Sequence, residues 1–293
     1  MELKVDQVSK VYNNNHKALD NFSMSFKKGV IGLLGPNGAG KSTLMRIIAT
    51  ISKPSSGALY WNNVNIKTDP DSLRSVLGYL PQDFGLYPNL TGEEFLNYIA
   101  ALKGLSRSES KLRIHELLEF LNLIDVKKKS LNKYSGGMKQ RIGIAQALLN
   151  DPEVLIVDEP TVGLDPQERL KFRNLLVDLA GDRIVILSTH IVSDVESSAT
   201  SLVLLNKGRL LINETPEMLV KQLAGLTWEW IIKSEELQKV KNKYLTSNYV
   251  LKNDGLLIRV ISQDKPHPNA LHVNPSLEDA YLYYTVGNEV SQQ

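Results

Sequence analysis

The stretch Gly35-Pro36-Asn37-Gly38-Ala39-Gly40-Lys41-Ser42 matches the pattern G-x-x-x-x-G-K-[ST] and follows a continuous apolar run at residues 30–34. Such a run is typical of a strand buried on both faces of a parallel sheet. The glycines let the backbone curl so that successive N–H groups point at a phosphate, and the helix that follows adds its positive N-terminal end. The order of strand, loop and helix argues against a chance glycine-rich turn. We therefore predict that Lys41 contacts the β- and γ-phosphates of a nucleotide and that the Ser42 hydroxyl ligates Mg²⁺.

A second apolar run, at residues 154–157, ends in two carboxylates, Asp158 and Glu159. Ligands of parallel α/β sheets bind at the carboxyl ends of the strands, so both side chains are expected beside the phosphate loop. Asp158 suits the Mg²⁺ shell, directly or through water, and Glu159 suits orienting and deprotonating an attacking water. Alone, the pair is equally typical of a polar strand end that caps a helix. A phosphate loop earlier in the chain favours the catalytic interpretation.

A second glycine-containing loop, at residues 134–141, precedes a predicted helix at residues 142–149. It contains Ser135, Gly136 and Gly137 and offers another helix N-terminus that can bind an anion. Ser-Gly-Gly is a common turn by itself. Here it lies shortly before the carboxylate strand, and Gln82 and His190 flank the pair.

Composition excludes several kinds of site. The chain has 293 residues, 42% of them hydrophobic and 23% charged, as in an ordinary globular protein. It has no cysteine, which excludes disulfides and cysteine-ligated metals and fits a reducing cytoplasm. The net charge of +2 gives no reason to expect a nucleic-acid partner. No signal peptide is expected, and the apolar runs are short beside the about 20 residues of a membrane-spanning helix. A membrane process would therefore require another chain to cross the bilayer.

The hydrophobic pattern predicts an α/β fold with several parts. Alternating residues before the phosphate loop are typical of half-exposed antiparallel strands. Residues ~85–150 are predicted to be mostly helical, and capping-box patterns at Thr91 and Ser106 mark two helix starts. The sequence pattern changes after about residue 225. We therefore predict one domain at residues 1–225 and a small C-terminal α/β subdomain at residues 226–293.

With these motifs in place, residues 1–220 resemble the ATP-binding cassette (ABC) ATPases, a P-loop NTPase family with a RecA-like parallel core sheet, an antiparallel β-subdomain and a helical subdomain. Residues 35–43, through Thr43, are similar to the Walker A loop, and Asp158-Glu159 to the Walker B end with its catalytic glutamate. Residues 134–138 resemble the signature LSGGQ, with Tyr134 for Leu and Met138 for Gln. Four further residues or segments resemble family features. Tyr12 is similar to the aromatic that stacks on adenine, and Gln82 to the Q-loop glutamine. Residues 163–165 are similar to the D-loop, and His190 to the switch histidine.

The single-residue assignments have alternatives. Tyr12 can be a surface strand aromatic, a lone histidine such as His190 is more often structural, and Gln82 means little without the resemblance. The resemblance assigns catalysis to Lys41, Gln82, Glu159 and His190. It assigns Mg²⁺ to Ser42, Gln82 and Asp158, and nucleotide binding to the following residues: Tyr12, Gly35, Pro36, Asn37, Gly38, Ala39, Gly40, Lys41, Ser42, Thr43, Ser135, Gly136 and Gly137.

The resemblance also implies partners. The signature residues Ser135, Gly136 and Gly137 would act on the ATP of a second ATPase subunit in a head-to-tail homodimer or heterodimer. The interval from Lys41 to Ser135 is too short for the coiled coil of chromosome-organising relatives, which argues against that class. Excision-repair relatives need cysteines that bind zinc, and this chain has no cysteine. We therefore expect the ATPase subunit of a transporter, working with a separate transmembrane permease at the cytoplasmic face of the membrane. The alternative is a soluble ABC-type regulatory ATPase.

The direction of transport is indicated more weakly. Residues 82–88 and 276–281 resemble bacterial cassettes of ABC-2-type exporters. The groove near Gln82 is where the permease is expected, with Phe84, Leu86 and Tyr87 as apolar contacts. Alternatively, these three side chains pack the helical insert.

Overall fold

The computed structural model describes residues 1–287. Within that range the strands are β1 Leu3–Val11, β2 Lys17–Phe26, β3 Gly29–Leu34, β4 Ser56–Trp61, β5 Val64–Asn65, β6 Leu77–Leu80, β7 Val154–Asp158, β8 Ile184–Thr189, β9 Ser201–Asn206, β10 Arg209–Glu214, β11 Thr227–Ile232, β12 Leu245–Lys252, β13 Gly255–Ile261 and β14 Leu271–His272. The α-helices are α1 Lys41–Ile48, α2 Asp71–Arg74, α3 Gly92–Leu102, α4 Arg107–Phe120, α5 Gly136–Leu148, α6 Pro166–Ala180, α7 Ser193–Glu196, α8 Pro216–Gln222, α9 Leu237–Lys243 and α10 Leu277–Leu282. None of the helices described there is long and apolar enough to cross a membrane.

The central sheet has the order β10-β9-β3-β8-β7-β6. Strands β9, β3, β8, β7 and β6 are parallel, and β10 joins through an antiparallel hairpin. Every residue of β7 and β8 is buried, as their continuous apolar runs predict for strands covered on both faces. In the parallel register Leu34 pairs with Thr189 and Asp158 with Ser188, so the carboxyl ends of three strands lie side by side.

A smaller antiparallel sheet has the order β2-β1-β4-β5. Its inward residues, including Leu3, Val5 and Phe22, form one apolar cluster with Leu44 and Met45 of α1 and with one face of the central sheet. This packing fixes α1, and therefore the loop before it, against two sheets.

The helical insert consists of α3, α4 and α5. The predicted capping boxes are present: Thr91 accepts the N–H of Glu94, and Ser106 that of Glu109. The prediction for α5 was wrong at its start, because the helix begins at Gly136 rather than at residue 142. Ser135 caps it by accepting the N–H of Met138, so the two glycines form its first turn instead of a loop.

The C-terminal part forms a four-stranded antiparallel sheet of order β12-β13-β11-β14, followed by α10. Trp228 and Trp230 are buried on one face of this sheet. Leu277 and Ala280 of α10 join the same apolar cluster as Leu202 and Leu204 of the central sheet. The C-terminal part therefore packs on the central sheet through a shared apolar core.

Candidate nucleotide site

The phosphate loop connects β3 to α1, and its shape depends on glycine. Gly40, the residue before α1, has φ +107, and a Cβ there would collide with the carbonyl oxygen of Ala18. This tight turn brings the first residues of α1 against the ends of β7 and β8. The local order of buried strand, glycine turn and helix is the one that the sequence predicted.

Lys41 opens α1 and is almost fully buried. Its Nζ donates to the carbonyl oxygens of Gly35 at 2.8 Å and Pro36 at 3.3 Å, and lies 3.6 Å from Oε1 of Glu159. Burial lowers the pKa of Lys41, while the carboxylates of Glu159 and Asp158 oppose that shift. The ammonium group is thus held in the loop by neutral carbonyls and one nearby carboxylate.

Asp158 is buried at the end of β7. Its Oδ1 accepts the hydroxyl of Ser188 and, at 3.4 Å, that of Ser42. Burial raises the pKa of Asp158, the hydrogen bonds from Ser188 and Ser42 lower it, and Glu159 raises it further. A carboxylate and a hydroxyl this close together are hard oxygen donors, the type that Mg²⁺ takes in combination with phosphate oxygens.

Glu159 follows Asp158 and turns sharply out of the strand, with φ +46. Its Oε2 lies 3.2 Å from Nδ1 of His190, which follows β8. The His190 side chain is 40% exposed, whereas that of Glu159 is 10% exposed. Glu159 therefore lies between a buried ammonium group and a solvent-facing imidazole.

These groups line one open cavity of about 480 Å³. Its walls are formed by Tyr12, His16, Ala18, Asn37, Gly38, Ala39, Gly40, Lys41, Ser42, Thr43, Gln82, Glu159, Val162 and His190. The structure thus brings the strand, loop and flanking residues named from the sequence into one place. Asp158 lies just beneath, and Gly35 and Pro36 face Lys41 with their carbonyls.

Sequence reasoning missed two polar residues here. His16 lines the cavity because the backbone N–H of Tyr12 donates to the His16 carbonyl at 2.9 Å and closes the intervening turn. Ser188 bonds both Asp158 and the backbone of Glu159, and only the register of β7 with β8 reveals it. Its position directly after the buried apolar run at residues 184–187 was the available signal, since a buried hydroxyl needs partners.

Ser135, Gly136 and Gly137 lie elsewhere. None of them is among the described residues that line this cavity. They form the first turn and cap of α5, whose Gln140 donates to the carbonyl of Pro160 at 2.6 Å. The signature turn is thus tied to the segment just after Glu159, although it does not face the phosphate loop of its own chain.

Phe84 and Leu86 are half-buried and pack against the main core, Phe84 directly on Gly143 of α5. Tyr87 is 50% exposed and meets Tyr98 edge to face, with ring centroids 5.3 Å apart. Of the three predicted contact residues, two are therefore partly buried against the core, and Tyr87 is the exposed one.

The chain is similar to known proteins over most of its length. A family model described as ABC transporter matches residues 19–162. The uncharacterized ABC transporter ATP-binding protein YxlF of Bacillus subtilis (strain 168) is 33% identical over 280 residues, covering 94% of this chain and 84% of YxlF. The probable multidrug ABC transporter ATP-binding protein YbhF of Escherichia coli (strain K12) is 34% identical over 269 residues. That match covers 86% of this chain and 46% of YbhF, so the chain spans about half the length of that relative.

A solved structure supports the same conclusion. The dimeric post-hydrolysis state of the ATP-binding cassette MJ0796, bound to ADP and Pi, is similar with a TM-score of 0.65 and 29% identity, covering 73% of this chain and 98% of that one. The predicted fold class, a P-loop NTPase with a parallel core sheet, is confirmed. The chain belongs to the ABC transporter family, as one of its ATP-binding cassette ATPases.

Proposed function

We propose that this chain is the ATP-hydrolysing subunit of a membrane exporter, working with a separate transmembrane permease at the cytoplasmic face of the membrane. The observation that carries the proposal is the convergence of Lys41, Asp158, Glu159 and His190 around one cavity beneath a phosphate loop. Buried opposite charges beside a helix N-terminus form an environment for a polyphosphate rather than for a neutral ligand.

The loop residues 35–43 bind the phosphates through backbone N–H groups, and Lys41 adds its ammonium group to the β- and γ-phosphates. Tyr12 supplies an aromatic surface for adenine, since it lines the same cavity as Lys41 and is 41% exposed. Binding would replace the carbonyl contacts of Lys41 with stronger contacts to phosphate oxygens, in which both partners are charged.

Mg²⁺ would be held by Ser42 and Asp158, with Gln82 at the cavity wall. The cation supplies charge neutralisation for the phosphates, and few protein ligands suffice because Mg²⁺ keeps waters and phosphate oxygens in its shell. The pair fits this use: Asp158 is buried, and one of its oxygens accepts hydrogen bonds from the hydroxyls of Ser42 and Ser188.

Glu159 acts as general base. It accepts a proton from a water whose oxygen bonds to the γ-phosphorus, while the bond to the β–γ bridging oxygen breaks and ADP and phosphate form. His190 holds the carboxylate through Oε2 and Lys41 approaches Oε1. Gln82 joins the wall of the same cavity and senses the γ-phosphate.

We further propose a head-to-tail dimer of two such subunits. The turn of Ser135, Gly136 and Gly137 presents N–H groups and a hydroxyl at the start of a 13-residue helix, away from its own phosphate loop. It would complete the site on the partner subunit's ATP. The dimeric state of MJ0796 with ADP and Pi supports this arrangement.

Export is supported by the multidrug name of YbhF. Exposed Tyr87 and Tyr98 border a groove, with Pro88, Asn89 and Leu90, on which a permease segment can dock.

Phosphate release from ATP by the full chain tests the hydrolytic part. We expect turnover that requires Mg²⁺ and is lost in Glu159→Gln. Turnover that persists in Glu159→Gln, or a chain that binds no ATP, would contradict the assignment.

A further inference from the structure

Ser188 lies where the two carboxylates of the site leave the central sheet. It is fully buried on β8, and the parallel register places it directly beside Asp158. The four preceding residues of β8 are all apolar. A buried hydroxyl in such a run costs free energy unless it is hydrogen-bonded, so its partners indicate its role.

The hydroxyl of Ser188 both donates and accepts. Its Oγ donates to Oδ1 of Asp158 and accepts the backbone N–H of Glu159 at 3.1 Å. The carbonyl oxygen of Ser188 accepts the same N–H, also at 3.1 Å. Because a hydroxyl can do both at once, a single side chain holds one carboxylate and the backbone of the next residue.

The second of these contacts stabilises a strained turn. Glu159 has φ +46, in the left-handed region that non-glycine residues rarely adopt because it is strained. The turn is what directs its carboxylate between Lys41, 3.6 Å from Oε1, and His190, 3.2 Å from Oε2. Ser188 anchors the N–H of this residue from β8, at the point where β7 ends.

We propose that Ser188 is a positioning residue for ATP hydrolysis, holding the carboxylate of Asp158 for the cation and the backbone of Glu159 for the general base. This inference rests on the proposed function, because it requires hydrolysis at this site. Ser188 is absent from the described lining of the cavity, so it acts through the two acidic residues. Its hydroxyl bonds to Asp158 and Glu159, whereas residues 35–43 hold the phosphates, and therefore we expect metal-free nucleotide binding to change little without it.

The test compares Ser188→Ala, which removes the hydroxyl, with Ser188→Thr, which keeps it. Loss of a partner that orients a metal ligand typically costs about 10–100-fold in metal affinity or activity. For Ser188→Ala we expect the Mg²⁺ concentration for half-maximal hydrolysis to rise by about that factor. We also expect kcat to fall while KM for ATP changes little. Ser188→Thr should restore both values towards wild type.

Equilibrium binding gives a readout that does not depend on turnover. A fluorescent ADP analogue is titrated with and without Mg²⁺. Wild type should gain affinity when Mg²⁺ is added, whereas Ser188→Ala should keep its metal-free affinity and lose most of that gain. Ser188→Cys, which retains the volume but donates weakly, should lie between them and serves if Ser188→Ala fails to fold.

Ser110→Ala is the matched control, because Ser110 is also buried and its hydroxyl donates only to a helix carbonyl, that of Arg107. It should match wild type in Mg²⁺ dependence. If wild type hydrolyses ATP and Ser188→Ala keeps the same Mg²⁺ requirement and kcat, the positioning role is wrong and the proposed function stands. If both kinds of binding weaken equally and Ser188→Thr does not restore them, the serine is merely structural. If wild type itself shows no Mg²⁺-dependent hydrolysis, the proposed function fails.

Discussion

At the scale of the residue, Lys41 is notable for carrying a charge inside the protein. Only 5% of its surface is exposed, and burial lowers the pKa of its ammonium group. Two loop carbonyls and the carboxylate of Glu159 compensate for the cost of burying this charge. A phosphate in the loop offers a stronger partner at the same place, so the side chain is already oriented for its ligand.

Replacing Lys41 therefore should weaken nucleotide binding. A hydrogen bond to a charged group contributes about 1.5–3 kcal/mol, so Lys41→Ala is expected to raise the Kd for ATP by about 10–100-fold. Isothermal titration calorimetry measures it directly. Lys28→Ala is the control, because Lys28 is exposed and pairs with Asp182 away from the cavity. An unchanged Kd in Lys41→Ala would contradict the phosphate-loop assignment.

At the scale of the element, Arg259 ties the C-terminal sheet to helix α10. Its guanidinium donates from Nη1 to Glu229 at 2.7 Å and from Nη2 to Asp279 at 2.8 Å. Asp279 also accepts the N–H of Ser276 at 2.7 Å, which closes a capping box at the start of α10. Burial would raise the pKa of Asp279, but the hydrogen bonds from Arg259 and Ser276 hold it below its ordinary value of 3.8.

This network predicts a pH-dependent contribution to stability. Because the folded pKa of Asp279 is depressed, its contribution is fully present above the unfolded value of 3.8 and is lost as the pH falls below that value. We expect Asp279→Asn to lower the free energy of unfolding by about 1.5–3 kcal/mol at pH 7. The difference from wild type should shrink below pH 4.

Urea unfolding at a series of pH values measures this difference. The control is Glu278→Gln, which removes the exposed neighbouring carboxylate of the same helix turn. A gap between Asp279→Asn and wild type that stays constant down to pH 3 would show that ionisation of Asp279 does not contribute.

At the scale of the whole molecule, the nucleotide cavity is open and lies apart from the signature turn. The signature turn at Ser135 belongs to another face, and the cavity holds no described residue from it. In the proposed dimer, each subunit would therefore contribute two half-sites, its phosphate loop and its signature turn.

Blocking hydrolysis should therefore trap that dimer. Glu159→Gln keeps the size of the side chain but cannot accept the proton, so we expect at least about 100-fold slower turnover and an ATP-bound dimer. Light scattering after gel filtration, with ATP and Mg²⁺, measures the mass. Adding Ser135→Arg to the same variant should return it to a monomer, because a long cation would block the signature turn. A monomeric Glu159→Gln that still binds ATP would argue against the head-to-tail dimer.

The proposed contact with the permease also belongs to this scale, because it uses a groove on the surface of the folded chain. Tyr87 and Tyr98 are 50% and 43% exposed and lie edge to face beside the groove. In a membrane co-purification we expect Tyr87→Ala with Tyr98→Ala to lose the permease while retaining ATP binding. Tyr249→Ala, which removes a 46% exposed tyrosine from the C-terminal sheet, is the control. Full recovery of the permease with the double variant would exclude this groove as the docking site.

The sequence by itself determined the chemistry of the site: a glycine loop with Lys41 and Ser42, and an apolar strand that ends in Asp158 and Glu159. These are local patterns, because the loop must follow a buried strand and precede a helix whatever the rest of the chain does. Helix starts at Thr91 and Ser106 were equally local, since each cap bonds within its own turn. The domain boundary at residue 225 and the individual site roles stay predictions.

Tertiary structure decided how those parts meet. The parallel register of β7 with β8 places Ser188 on Asp158, and no spacing in the sequence encodes that contact between residues of separate strands. The sequence also does not encode the place of His16 in the cavity or the packing of Phe84 against α5. The phosphate loop itself was readable because its backbone makes the site. The side chains that complete it come from distant positions, and only the folded sheet determines their distances.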